Sequence, residues 1–146
     1  MVTFGRKLPI GIQTFSDIRT QGYLYVDKTA LVWQIANSGK PFFLSRPRRF
    51  GKSLLLSTFE AYFQGKKELF AGLDIEHLED KWEKHPVFHM DLNARKYERP
   101  EDLIAMLNQF LERWEELYGT EKQDRAPEER FGYVIQKAFE KTGKGV

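Results

Sequence analysis

The sequence predicts an α/β fold built around a phosphate-binding loop, and three observations carry that expectation. The apolar run PFFLS (residues 41–45) reads as a short strand with β-prone residues. It leads through RPRRFGKS (46–53) into LLLSTFEAYF, where Leu55, Phe59, Tyr62 and Phe63 recur at helical spacing. A second apolar run, PVFHMDL (86–92), lies between helical segments, and strands separated by helices point to α/β.

Taken in order, the segment Leu8 to Gly11 is extended, because Pro9 disfavours helix. Thr14 or Ser16 caps a short helix, FSDIRTQ, that Gly22 stops. YLYV (23–26) reads as a strand, after which Asp27 or Thr29 caps a helix reaching about Ser38, with Gly39 as its stop. Beyond PFFLS the helix opening at Lys52 ends at Gly65. Two short helical pieces follow, around KKELFAG and EHLEDKWEK, before the PVFHMDL strand. The clearest helix runs from Pro100 to Tyr118, since proline suits the first helical position and Glu101 and Asp102 favour the positive end of the dipole. Its apolar stripe is Leu103, Leu107, Phe110, Trp114 and Leu117. A last helix, from about Pro127 to Lys141, turns Phe131, Val134, Ile135, Ala138 and Phe139 inward. The chain stops at KTGKGV, which reads as a break just before a further strand.

Composition bounds the function. A chain of 146 residues, 41% hydrophobic and 14% aromatic, has the length and material for a packed core. The 23 basic and 21 acidic residues leave a net charge of only +2, so attraction for phosphate has to come from local clustering. The absence of cysteine excludes disulfides and thiolate metal sites. No run approaches the roughly 18 apolar residues of a membrane span, and MVTFGRKLPIG has no uninterrupted apolar leader region. A cytoplasmic protein without membrane partners is the expectation. His77, His85 and His89 lack ligand-like spacing on one helix face, which argues against a metal site from them.

The chemistry concentrates in the loop. Phosphates are held where a strand turns tightly into a helix, because exposed backbone N–H groups and the helix dipole converge there. A lysine then reaches the terminal phosphates, and a Ser or Thr hydroxyl joins the magnesium shell. Here the nucleotide loop is Arg46, Pro47, Arg48, Arg49, Phe50, Gly51, Lys52, Ser53 and Leu54. Lys52 is the phosphate lysine, Ser53 the Mg²⁺-side hydroxyl, and Gly51 permits close backbone approach. Arg46 stands where the usual G-x-x-x-x-G-K-[ST] pattern has its first glycine, and Pro47 can fix that turn instead. Arg46, Arg48 and Arg49 form a dense positive patch that either adds contacts to a nucleotide or meets a nucleic-acid backbone. A basic turn that merely opens a helix is the bland alternative. Hydrolysis also needs an acidic group near the phosphates. Asp91, at the end of PVFHMDL, has that shape as a magnesium ligand, against which stands an ordinary turn cap with Asn93. Three functions stay open on these residues: an ATPase domain binding ATP and Mg²⁺, a P-loop kinase, and a nonenzymatic nucleic-acid-binding or regulatory module.

LPIGIQTFSDIRTQGYLYVDKT, then FFLSRPRRFGKSLLLSTFEAYFQGKKELFAGLDI, then KWEKHPVFHMDL resemble the bacterial AAA-ATPase-like family. Many of its members carry a PD-(D/E)XK nuclease-like domain after the ATPase. The resemblance runs over most of the chain, in the family's order, and the family's own loop departs from the standard motif as this one does. It implies a P-loop ATPase core of the additional-strand type, with residues 1–146 as the N-terminal part of one domain. It places Arg48, Arg49, Gly51, Lys52 and Ser53 in the nucleotide loop, and it puts Tyr23, Val26, Asp27 and Lys28 near the nucleotide base. In the family a helix like GYVIQKAFEKTGK leads into an apolar strand closing with Asp-Glu. That acidic strand would start at Val146, so the resemblance predicts binding by this chain and puts the hydrolytic acid beyond it, which demotes Asp91. Nucleic acid enters only as a partner of a downstream nuclease-like domain. The two strands would then lack their neighbours, leaving backbone groups unsatisfied, and a marginal, oligomeric or rearranged chain follows.

Overall fold

The computed structural model describes residues 5–94 and 96–146; the first four residues of the N-terminal stretch lie outside it. Among the described residues five α-helices form: α1 (Phe15–Thr20), α2 (Thr29–Ala36), α3 (Lys52–Phe63), α4 (Pro100–Tyr118) and α5 (Pro127–Thr142). Short 3₁₀ turns cover Lys67–Phe70, Asp74–His77 and Leu92–Ala94. The chain divides into two compact units, one through Lys84 and one from His85 to Val146.

The α/β expectation is corrected here: among the described residues there is no strand and no sheet, so an α/β P-loop core is not supported. PFFLS, PVFHMDL and YLYV form no ladder. The reason is physical. An apolar run predicts burial, whereas a strand exists only when another segment meets its N–H and C=O groups. In the first segment Phe43 is 94% exposed and Phe42 59% exposed, so even the burial did not follow. Residues 23–26 donate two backbone bonds, from the Leu24 N–H to the Lys7 carbonyl at 2.9 Å and from the Tyr23 N–H to the Ile18 carbonyl at 3.0 Å, which is too little for a ladder. Residues 78–84 are likewise not helical, although EHLEDKWEK read that way.

The first unit packs α1, α2 and α3 around two of the 3₁₀ turns. Its core holds Phe15, Val32, Ala61, Leu69, Phe70, Leu73 and Ile75, with Tyr25, Tyr62 and Trp82 against it. The Phe15 ring meets Tyr25 edge-on at 5.1 Å and Phe70 at 4.8 Å. Each fully buried apolar side chain of this size contributes about 1.5–3 kcal/mol. Phe15, Ile18, Phe70 and Ile75 are the largest of them, which anchors α1 and the turns following α3 to the same core.

The second unit is a helical hairpin of α4 and α5. Pro100 opens α4, and the Asp102 carboxylate reaches back to accept the Glu98 and Arg99 amides, both at 3.0 Å. Lys141 near the end of α5 donates to the Leu117 carbonyl at 2.7 Å, satisfying a C-terminal acceptor of α4. Phe88 stacks on Trp114 with ring centroids 4.4 Å apart, so part of PVFHMDL is packed although unpaired. The buried positions of α4 are Met106, Leu111, Trp114 and Glu115; Leu103 and Leu117 of the expected stripe are exposed. On α5 the buried set is Arg130, Val134 and Ala138, with Phe139 exposed. No described helix is long and apolar enough to cross a membrane.

Candidate functional site

The loop between Leu44 and α3 turns at Arg48 and Arg49 and bends through Phe50 and Gly51. Arg49 has φ 67° and Gly51 has φ 76°, both in the left-handed region. Glycine adopts it without steric penalty, whereas an arginine there is uncommon. Gly51 is the N-cap of α3, so no cap side chain stands over the first N–H groups of the helix. Left-handed residues next to a helical first turn aim successive N–H groups into one concavity, a common anion-binding arrangement.

That concavity is present. A pocket of about 490 Å³ is lined by Arg49, Gly51, Lys52, Ser53 and Leu54 on one side and by Gly11, Ile12 and Gln13 on the other. The Lys52 ammonium donates to the Arg46 carbonyl at 2.8 Å. One bond leaves two of its three N–H donors for other acceptors. The Arg46 guanidinium lies 3.5 Å from the Phe50 carbonyl. Arg46 thus braces the loop at both ends from the position where the usual motif has a glycine. Arg46 and Phe50 also border a separate apolar cavity of about 390 Å³ with Leu24, Val26 and Leu31. Arg48 and Pro47 are exposed, and among the described residues neither Arg48 nor Arg49 has an acidic ion-pair partner.

The remaining expected residues stand elsewhere. Asp27 sits just before α2, where its Oδ1 accepts the Thr29 N–H at 2.8 Å and the Thr29 hydroxyl at 2.7 Å. Its Oδ2 accepts the Asp74 N–H at 2.7 Å, and the Thr29 hydroxyl oxygen accepts the Ile75 N–H at 3.1 Å. Burial alone would raise the Asp27 pKa, but these donors outweigh it and hold the carboxyl below its ordinary value. Asp27 therefore clamps a 3₁₀ turn onto α2. Tyr23 is half-buried and donates its N–H to the Ile18 carbonyl at 3.0 Å. Neither residue lines the pocket beside Gly51. Asp91 belongs to the second unit, where its Oδ1 accepts the Asn93 N–H at 2.9 Å as a turn cap would. Among the described residues no group of three His, Cys, Asp or Glu could hold a metal ion. Gly11, Ile12 and Gln13 were missed in the sequence. The sequence read Leu8 to Gly11 as extended, whereas the chain turns at Ile10 and Gly11, and nothing in those residues says what that turn faces.

The family described as Predicted AAA-ATPase matches residues 9–146. The chain belongs to that family. The RPRRFGKS loop and the preceding Gly11–Gln13 segment both fall within the match. The chain is also 40% identical over 148 residues to an "Uncharacterized protein in vnfD 5'region" of Azotobacter chroococcum mcd 1. That alignment covers 97% of this chain and 28% of the relative, so the chain spans under a third of that protein's length. No solved structure matches it.

Proposed function

We propose that this AAA-ATPase-like chain binds ATP with Mg²⁺ through residues 46–54. The observation that carries the reading is Gly51, left-handed at the start of α3, with Lys52 and Ser53 beside it on a pocket of mixed polar and apolar lining. A triphosphate would meet the first-turn N–H groups of α3, the Lys52 ammonium and the guanidinium of Arg49. Magnesium would arrive with the phosphates, to which it binds using few protein ligands, and Ser53 would hold it from the protein side. When bound, the ion neutralises phosphate charge. None of the described residues lining the pocket is acidic, so the role assigned to them is binding and not the activation of water.

A second reading takes the same loop as a contact for nucleic-acid backbone. It draws on Phe50, 62% exposed directly after Arg48 and Arg49, since an aromatic beside cations is what single strands stack upon. Equilibrium titration of the parent and Lys52→Ala with ATP–Mg decides between them. Loss of a charge-assisted contact of this kind weakens binding by about 10- to 100-fold. Unchanged ATP affinity in Lys52→Ala would overturn the nucleotide reading. A parent that ignores ATP but binds single-stranded DNA with a steep salt dependence would establish the second one.

A further inference from the structure

The pocket beside Gly51 has two walls, and only one of them belongs to the proposed phosphate loop. The other is Gly11, Ile12 and Gln13, from a segment some forty residues earlier in the chain. Its placement is built by one side chain of α3. The Ser57 hydroxyl donates to the Leu54 carbonyl at 2.9 Å within its own helix. Its oxygen accepts the Phe15 N–H at 2.9 Å, and it lies 3.4 Å from the Gln13 carbonyl. Phe15 is the first residue of α1, whose N-cap, Thr14, makes no side-chain cap bond. Ser57 thus satisfies from another helix an N–H that α1 leaves without a partner. Because Phe15 is itself fully buried in the core, the segment before it is held at both backbone and side chain.

Beyond that pin the chain reaches Gln13, Ile12 and then Gly11, which has φ 76°, the left-handed value glycine tolerates. The wall is therefore one apolar side chain beside a carboxamide that both donates and accepts. This pair suits a flat heterocycle whose edge carries donors and acceptors, with the apolar side chain against its face. The opposite wall, with Lys52, Arg49 and the α3 N-terminus, suits anionic oxygens. The two chemistries sit about a pocket of roughly the size that small-molecule sites take.

Resting on the phosphate-site reading above, we infer that Gln13 and Ile12 form the base-recognising wall of a nucleotide site, with Ser57 as the positioning residue that fixes it. The site then discriminates a nucleoside triphosphate from bare triphosphate, and Gln13 sets which base edge is read. Tyr23 and Asp27, which the family resemblance put near the base, have no part in this assignment.

The experiment is a set of titrations of the chain with ATP, GTP and inorganic tripolyphosphate, each with Mg²⁺, for the parent, Gln13→Ala, Ser57→Ala and Ser57→Thr. Gln13 is exposed, so its truncation leaves the fold intact. The expected result is a parent preference for one nucleotide over tripolyphosphate that shrinks about three- to tenfold in Gln13→Ala, the worth of one or two hydrogen bonds. Tripolyphosphate affinity stays within about twofold of the parent. Ser57→Ala shows the same selective loss, and Ser57→Thr, which keeps the hydroxyl, restores it. Equal loss for nucleotide and tripolyphosphate, or an unshifted ratio, overturns this inference while leaving the phosphate site standing. A parent that binds neither ligand overturns both.

Discussion

Arg130 carries the sharpest single-residue commitment in the second unit. Its guanidinium donates to both Glu115 carboxylate oxygens, at 2.8 and 2.7 Å, and to the Asn108 side-chain carbonyl at 2.8 Å. The Arg130 side chain is 7% exposed and that of Glu115 is 0% exposed. The Glu115 hydrogen bond and charge hold the guanidinium pKa above its ordinary value, outweighing a smaller opposing effect of burial. A buried pair of this kind need not be a large net source of stability, because both ions lost their water. Removing one partner is a different matter, since it strands the other. Arg130→Met is expected to cost about 3–5 kcal/mol, and Glu115→Leu with Arg130→Met together to cost far less. Urea unfolding followed by far-UV circular dichroism and tryptophan fluorescence, to which Trp33, Trp82 and Trp114 all contribute, measures both, and a double variant as damaged as the single one would refute the stranded-charge account. Sequence patterning could not find this pair. Both residues fall on the inward faces of amphipathic helices, where the expected stripe reserved space for apolar side chains alone.

At the scale of elements, the Asp27 clamp joins α2 to the turn at Asp74–His77 through three donors on one carboxylate. Asp27→Ala leaves the Thr29 and Asp74 N–H groups without that acceptor, and a loss of about 2 kcal/mol is expected for hydrogen bonds to a charged group. The pH dependence has a definite sign. The folded carboxyl titrates below the ordinary value of 3.8, so its stabilisation is complete above that pH and fades as pH falls towards the lower folded value. The stability gap between parent and Asp27→Ala should therefore be constant near neutrality and close below about pH 4. A gap that widens on acidification would show the carboxylate to be destabilising. The elements involved were legible to different degrees. α1 to α5 could be read from capping residues, prolines and periodicity, because those signals are local and a helix satisfies its own backbone. The strands were misread because pairing is not local, and PFFLS carries nothing that names a partner. The RPRRFGKS segment was legible as the lead into α3, which starts at Lys52. Its facing wall, Gly11 to Gln13, was not, because that wall depends on a bond between Ser57 and Phe15, 42 residues apart.

For the whole molecule the decisive quantity is how the charge is distributed, not its sum. A net charge of +2 produces little field at a distance, so anion affinity has to be local to the cations around the loop. Lys66 and Lys67 give a control within the same unit. They follow the far end of α3, whose 12 residues span about 18 Å at 1.5 Å each. That is roughly twice the screening length of about 8 Å at physiological salt, so these lysines are largely invisible from the loop. Replacing Arg48 and Arg49 by Gln removes two positive charges, and replacing Lys66 and Lys67 by Gln removes the same number. The first change is expected to weaken ATP–Mg binding about tenfold and to flatten its dependence on salt. The second leaves both within about twofold, because the net charge is altered without touching the local field. Titrations at low and high salt on the two double variants give the comparison. Equal losses in the two would mean that the bulk charge draws the nucleotide in, and the arginines of RPRRFGKS would then have no special claim on the phosphates.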